Sequence, residues 1–381
     1  MSKISCRNCG NRSINKLFSL GNLNYTGIFK KKLINVPKAK ICLVKCKKCH
    51  LVQLDQNFNP KIMYGENYGY RTGINSTMSN HVKKVVNILQ KKTKLRKNEC
   101  VLDIASNDAT LLNSYAKNIN TFGVDPLVKK YKKLYKNIDV KIANFFDYKH
   151  LRKYNVNNKF KIITALAVFY DLSNPNKFLK DVKKILREDG IFYLEFADLL
   201  SIIKNNMFDT ICHEHLEYYS FEIINNMIIK NNLRIIDFIK TDINGGSIGF
   251  IITHPNSKYK TSNQKISLFI KKEKEYKLKN INTYKKFFKR IITIKNKLKI
   301  ILNNIKNSKL IIHGYGASTK GNVLLQFFDI NHKIIDFISD RNPKKNNLYT
   351  PGTKIKIIKE AKSRNMKPDY YLVLPWHFKK E

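Results

Sequence analysis

Arginine is scarce in this 381-residue chain: ten of its 72 basic residues are arginine, and the rest are lysine. Acidic residues are few as well, 28 in all, which leaves a formal charge of +44. Such a balance invites a nucleic-acid partner, but readers of base edges rely on arginine forks and clustered patches. Here lysine, asparagine and isoleucine are heavy everywhere, including in segments with no other signal, as AT-rich codon usage would produce. Composition bias is the leading reading of the charge, and a polyanion partner the lesser one. A basic surface still favours substrates that carry phosphate. No apolar run approaches the ~18 residues of a membrane span. The start, Met1-Ser-Lys-Ile-Ser-Cys6, has no apolar stretch of the kind a signal peptide carries. The expectation is a cytoplasmic protein with no membrane partner. In that reducing compartment, seven cysteines do not build a disulfide framework. The length suits two or three domains, and 43% hydrophobic residues can fill more than one core.

Four of the cysteines form two C-x-x-C pairs, Cys6-Arg-Asn-Cys9 and Cys46-Lys-Lys-Cys49. Each pair can present two thiolates from one tight turn, and together they make a tetrahedral four-thiolate site for zinc. A site closed by four ligands leaves no open position, so the metal is expected to be structural. A redox role for one pair lacks the strand–helix context of thioredoxin. Cys42 and His50 are spare by spacing.

The middle of the chain reads as alternating strands and helices. Glu99–Ala105 is a short buried strand, Ser106–Ala109 a turn, and Thr110-Leu-Leu-Asn-Ser-Tyr the start of a helix. Further strands are expected at Thr121–Asp125, at a segment ending in Asp147, at Lys161–Ala167 and at Gly190–Glu195. This pattern makes a parallel doubly wound sheet, whose ligands bind beyond the carboxyl ends of the strands. Asp125 ends the second strand and can accept both ribose hydroxyls of a nucleoside cofactor. The first turn has no glycine, whereas a dinucleotide site wants G-x-G-x-x-G there. Asp103 and Asp108 place carboxylates where a pyrophosphate would be repelled and a cation welcomed. The turn therefore suits S-adenosylmethionine better than NAD.

After this half comes Asp209-Thr-Ile-Cys-His-Glu-His215-Leu-Glu-Tyr-Tyr-Ser220. His213, Glu214 and His215 crowd groups that bind or move protons and are costly to bury idle. The cluster is open to acid–base use or to a metal held by the two histidines. Residues 255 to about 306 read as helical, with apolar positions such as Phe287, Ile291, Ile294, Leu298, Ile301 and Ile305 and a charge run that reads as a solvated face. Then Lys309–His313, Ile334–Ile338 and Asp369–Leu374 read as strands of a second small α/β unit. Its turn, Gly314-Tyr-Gly316, leads to a helix opening at Gly321, a place where backbone N–H groups can hold phosphate beside Lys320.

With these residues in view, the chain resembles, nearly end to end, the zinc-containing sugar C-methyltransferases that act on nucleotide-linked keto-deoxysugars. The likeness runs through the cysteine pairs with Leu20-Gly21 and His50-Leu-Val-Gln-Leu54, and through Tyr64-Gly-Glu-Asn-Tyr68-Gly-Tyr70-Arg-Thr72. It continues in Leu102–Leu112, Gly123-Val-Asp-Pro126, Asn144-Phe-Phe146, Val168-Phe-Tyr-Asp-Leu172, Asp209–Ser220 and Asp242–Ser247. It ends in Gly314–Gly321 and Pro351-Gly-Thr353. The resemblance implies an N-terminal zinc-binding domain with a tyrosine motif (1–75), with Cys6, Cys9, Cys46 and Cys49 as ligands. It implies a central Rossmann-like methyltransferase domain (76–254) and a helical connector with a small C-terminal α/β domain that contacts the nucleotide sugar (255–381). It further implies that His215 is the base, with Glu214 its partner. Tyr68, Tyr70, Cys212, His213, Asn244, Gly245, Gly246, Tyr315 and Lys320 are implied on the substrate side. Asp103, Ala105, Asn107, Asp108, Asp125, Phe146, Ala165 and Ala167 are implied around S-adenosylmethionine. The implied reaction removes the proton beside a sugar ketone and methylates the enolate without a catalytic metal, in a monomer.

The chain departs from that family at several positions. Cys212 stands where some members have a tyrosine, and Ala105 and Ala109 stand where the cofactor turn has glycines. A methyl at each narrows the methionine pocket or demands a negative φ. Ala167 replaces a polar asparagine of some members. The family continues past the point where this chain stops, so the C-terminal domain reads as truncated. Beside the enzyme stand a nucleic-acid-binding zinc protein with a methyltransferase-like core, metal catalysis at His213 and His215, and a retired enzyme.

Overall fold

The structure, a computed structural model, describes residues 4–32, 36–65 and 68–378. Glu66 and Asn67 of the tyrosine motif lie outside the described residues. The N-terminal sheet starts with β1 (Ile14–Asn24), β2 (Lys38–Cys46) and β3 (Val52–Leu54), all antiparallel. A short helix follows, α1 (Pro60–Met63). Asn59 caps it by accepting from the Lys61 amide, and proline supplies a first-turn φ at no cost in hydrogen bonds.

The central domain opens with α2 (Ser76–Thr93), capped by the Asn75 side chain on the Met78 amide. Its buried Val82, Val85, Val86 and Leu89 recur at helical spacing and pack on the sheet, while Met78 in the first turn faces the cleft described below. Then come β4 (Cys100–Ile104), β5 (Asn120–Val124), β6 (Val140–Ile142), α3 (Tyr148–Leu151), β7 (Phe160–Leu166), α4 (Pro175–Ile185) and β8 (Leu186–Ala197). After these lie α5 (Leu199–Lys204), β9 (Glu217–Tyr218), α6 (Phe221–Lys230), β10 (Arg234–Thr241) and β11 (Ser247–Thr253). Seven of these strands form one sheet in the order β10-β11-β8-β7-β4-β5-β6. β4 to β8 run parallel, while β11 is antiparallel to both β8 and β10. The expected sheet is thus mixed rather than wholly parallel, because Gly245 (φ 91°) and Gly246 (φ 135°) let β10 fold straight back into β11. β9 leaves this domain and pairs with β3, Val52 opposite Tyr218, as the fourth strand of the N-terminal sheet.

Two other expectations change. The helix expected from Thr110 is a single tight turn, Leu112–Ser114. Asp108 holds the Thr110 hydroxyl, and the Asn113 amide binds the Ala109 and Leu134 carbonyls, so side chains compete for the backbone there. The third strand stops at Ile142. Asn144 and Asp147 each accept from a nearby amide, and Asp147 caps α3 instead of ending a strand.

The helical stretch divides into α7 (Asn263–Glu275) and α8 (Ile281–Asn307), broken where Lys277 takes φ 49° and Asn280 caps the second helix. The C-terminal domain comprises β12 (Ile312–Tyr315), α9 (Thr319–Phe328), β13 (Phe337–Asp340), β14 (Lys356–Lys359), α10 (Glu360–Asn365) and β15 (Tyr370–Val373). Its sheet is parallel in the order β14-β13-β12-β15, with β14 unforeseen in the sequence.

One core contact is unforgiving. Tyr193 on β8 donates to Glu195, whose other oxygen lies 2.7 Å from His81 Nε2 on α2. A Cβ on Gly249 of β11 would sit 1.9 Å from the Tyr193 hydroxyl. Gly249→Ala is expected to lower the unfolding free energy by about 1–3 kcal/mol, read from urea titration. An unchanged midpoint would mean that Tyr193 can move aside.

Candidate active site and metal centre

The two C-x-x-C turns meet. Cys6 Sγ lies 3.4 Å from Cys49 Sγ, and Cys9 Sγ lies 3.6 Å from Cys46 Sγ. All four sulfurs fall within 4.8 Å of one another, and among the described residues no other group of three or more potential ligands does so. A tetrahedron of Zn–S bonds has sulfur–sulfur edges of about 3.8 Å, so the donor set and its spacing fit a structural zinc site. Cys42 and His50 stand outside the cluster. Arg7, inside the first turn, reaches across the domain seam. Its guanidinium donates to the Leu54, Gln56 and Leu216 carbonyls and lies 3.4 Å from Glu217.

A cleft of about 550 Å³ opens at the carboxyl ends of β4, β5 and β7, between the three domains. At one end, Asp103 accepts from the Thr164 hydroxyl (2.6 Å). Asp125 accepts from the Asn107 and Leu127 amides (2.9 and 2.7 Å). Burial pushes Asp103 up to about 7 and Asp125 up to about 6. Both carboxyls therefore sit where a cation would be welcome. Asn107, Ala105 and Ala167 line the same end, with Leu111, Leu127, Phe145 and Leu166 supplying apolar walls.

The backbone there keeps a glycine-like shape without glycine. Ala105 (φ 60°), Ala109 (φ 62°) and Ala167 (φ 54°) all adopt the left-handed region. The expectation that a methyl would demand a negative φ is therefore corrected: the turn holds its path, and each alanine bears roughly 1–2 kcal/mol of strain. Three residues implied at this end do not line the cleft. Asp108 turns to the strap between the first two domains, accepting from Arg71 Nε (2.9 Å) and the Gly73 amide (3.0 Å). Phe146 packs on Phe178, leaving Phe145 at the wall. Ala165 is sealed inside the sheet, one pleat short of Ala167.

At the other end, Glu214 and His215 both line the cleft. His215 Nδ1 lies 2.7 Å from the Thr210 carbonyl, so Nδ1 carries the hydrogen and Nε2 keeps its lone pair. Burial, aided by the charge of Lys320, pushes this imidazole down to about 3, so it is neutral at any ordinary pH. Glu214 accepts from the Thr26 hydroxyl (3.0 Å), and burial raises its carboxyl. Its other oxygen leaves no room for a side chain at Gly27, where a Cβ would come within 2.9 Å. Tyr68, Tyr70, Asn244 and Lys320 line the cleft too.

Five residues implied on the substrate side do not line it. Cys212 is fully buried behind the wall. His213 points the opposite way from His215, its ring 4.8 Å from Tyr25 and 4.9 Å from Phe58, with Nε2 on the Ala39 carbonyl. It is a core histidine at the domain seam, and a shared metal with His215 has no geometry. Gly245 and Gly246 pack on Met207, Trp376 and Ser201 to make their turn. Tyr315 packs edge-on against Tyr371, 6.0 Å between ring centroids. Sequence reasoning passed over Asp171, Tyr170 and His377, which do line it. Asp171 and Tyr170 stood inside a quoted motif but were given no role.

Family models match the chain in three consecutive pieces. They are described as a "Putative zinc binding domain" over residues 6–64, a "Methyltransferase domain" over 75–237 and a "C-methyltransferase C-terminal domain" over 242–381. The chain is 25% identical over 348 residues to the C-methyltransferase NovU of Streptomyces niveus, covering 89% of this chain and 81% of that protein. The chain is an S-adenosylmethionine-dependent methyltransferase. Among solved structures, the methyltransferase is similar to an S-adenosylmethionine-dependent methyltransferase from Clostridium acetobutylicum. That match has 15% identity and a TM-score of 0.38, covering 46% of this chain and 92% of that one. It is also similar to magnesium protoporphyrin IX methyltransferase from Synechocystis PCC 6803. Here the identity is 14% and the TM-score 0.37, covering 51% of this chain and 92% of that one. No helix of the methyltransferase is long and apolar enough to cross a membrane among the described residues.

The candidate metal centre of the methyltransferase is directly testable. Metal analysis should return about one zinc per chain, and Cys9→Ser should lower both that content and the midpoint of thermal unfolding. Zinc well below one per chain in the native protein would remove the site.

Proposed function

We propose that this methyltransferase methylates a carbon beside the ketone of a nucleotide-linked keto-deoxysugar. The observation that carries the reading is His215: a neutral imidazole with its Nδ1 hydrogen held by the Thr210 carbonyl and its Nε2 lone pair left free of that bond, in the wall of the cleft that Asp103 and Asp125 also line. A base so fixed suits removal of a carbon-bound proton. The named relative is a C-methyltransferase, which agrees with carbon as the acceptor. Arg341 and Lys345 line the cleft, paired with Glu360 and Asp340, and bring positive charge to the C-terminal side of it, where a diphosphate would be drawn.

In this reading, His215 Nε2 takes the proton beside the ketone, and the C–H electron pair becomes the enolate. S-adenosylmethionine supplies the methyl group as an electrophile. Glu214, held by Thr26, orients the sugar through a hydroxyl, and Tyr68, Tyr70 and Asn244 form the walls around it. Asp125 and Asp103 hold the ribose and the positive charge of the cofactor. We assign residues 1–75 to the zinc-binding domain, 76–254 to the cofactor domain, and 255–381 to the connector and nucleotide-sugar domain.

Two measurements test the roles. The protein would be incubated with cofactor and a panel of nucleotide-linked keto-deoxysugars in deuterated water, with mass reporting exchange and methylation. His215→Gln should lower turnover by about 10²–10⁴-fold while cofactor binding stays; full turnover would end the base assignment. The second is the pH dependence of cofactor affinity. Asp103 and Asp125 are charged above about pH 7 and take up protons between about 7 and 6. Affinity for the cationic cofactor should therefore be highest above that window and fall as pH drops through it, by up to roughly tenfold per unit per proton. A flat profile would detach these carboxylates from the cofactor.

A further inference from the structure

Lys320 sits in the first turn of α9, just after the Gly314–Gly316 turn, where the sequence suggests a phosphate site. Four amides around that turn are already engaged. Ala317 donates to the Asp340 carboxylate at 2.8 Å, Gly316 to the Ser339 carbonyl, Ser318 to the Gly316 carbonyl and Gly321 to the Ser318 hydroxyl. A carboxylate on the turn repels phosphate rather than making room for it. The Lys320 side chain instead runs into the cleft, where its ammonium donates to the Asn244 carbonyl at 3.0 Å. No carboxylate lies within salt-bridge distance of it among the described residues; the nearby Asp209 accepts from Trp376 Nε1 instead. An ammonium has three donors, and a neutral carbonyl occupies one.

The start of α9 is keyed to the base and its partner. Asn322 Nδ2 donates to the Thr26 carbonyl at 2.6 Å, and the Thr26 hydroxyl donates to Glu214. Thr319 Oγ1 and Glu214 Oε1 approach the same point above Gly27, at 3.8 and 2.9 Å. Lys320 and His215 thus face one part of the cleft from two domains. That arrangement opposes the base in an empty site, because the ammonium's field disfavours an imidazolium. It becomes favourable only if a negative charge forms between the two.

We infer that the Lys320 ammonium is the electrophile that receives the ketone oxygen as it turns into an enolate, and is not a phosphate contact. The inference rests on the keto-sugar reading above. The α-carbon loses its proton to His215 Nε2, the C–H pair becomes the C=C bond, and the carbonyl π pair moves to oxygen. Lys320 keeps its proton and donates a hydrogen bond to that oxygen, which then lies between two cations. Preorganised donors of this kind stabilise charge at the moment it develops.

The test separates this role from phosphate binding and from the function reading itself. Wild type, Lys320→Met and Lys320→Arg would be compared with S-adenosylhomocysteine bound, so that no methyl moves. Deuterium exchange beside the ketone would be followed with thymidine- and guanosine-diphosphate-linked keto-deoxyhexoses at saturation. Binding of thymidine and guanosine diphosphate would be measured by calorimetry. Lys320→Met should lose about 10²–10³-fold in exchange with nucleoside diphosphate affinity unchanged, and Lys320→Arg should recover part of the loss. Without any sugar, NMR titration should show the His215 imidazole pKa rising in Lys320→Met, which also reports that the fold persists. Wild-type exchange in Lys320→Met, weaker diphosphate binding with exchange intact at saturation, or an unmoved His215 would each overturn the inference. Absence of exchange in the wild type with every sugar would sink the keto-sugar reading, and this inference with it.

Discussion

Arg7 ties the architecture together. It sits between two zinc-type cysteines, yet its guanidinium is spent on Leu54, Gln56, Leu216 and Glu217, on both sides of the seam between the first two domains. Both members of the Arg7–Glu217 pair are removed from water, and burial lowers the arginine and raises the carboxyl. Breaking one side of such a pair leaves an uncompensated buried group, a loss of about 3–5 kcal/mol in comparable cases. The same seam carries the pairing of β3 with β9. His215 and Glu214 lie immediately before β9, so the placement of these two side chains is anchored in the N-terminal sheet as much as in the domain that encodes them.

The cleft gathers both signs of charge. Lysines dominate the sequence, but Asp103, Asp125, Asp171 and Glu214 converge on the interior surface, each raised by burial. Lys320, Arg341 and Lys345 face them from the C-terminal domain. Carboxyls of the central domain and lysine and arginine side chains of the C-terminal domain therefore face the same cleft. The strap of Arg71, Thr72 and Gly73 on Asn107 and Asp108 closes the side between them.

Much of this was legible in the sequence because it rests on local spacing. The paired C-x-x-C motifs foretold the sulfur cluster, and the strand ends at Asp103 and Asp125 foretold the acidic end of the cleft. Legibility failed where direction or distant pairing decides. Cys212, His213, Glu214 and His215 are consecutive, and only the turn they make sends the last two into the cleft and His213 into the core. Asp108 looked like a cofactor contact, but the strap that claims it comes from residues 71–73. The helix expected after Thr110 yielded to side chains that bind the backbone locally. The antiparallel β10–β11 hairpin was hidden because its glycine turn was read as a substrate motif.

The β3–β9 seam also bears on how the chain is made. The partner of Arg7 at Leu216 lies 209 residues downstream. While the ribosome is still adding the central domain, β3 is an open edge with unpaired amides and carbonyls. Such an edge can recruit foreign strands until its own arrives. The zinc-type knuckle, complete once Cys49 has emerged, can hold the nascent sheet in register through that interval.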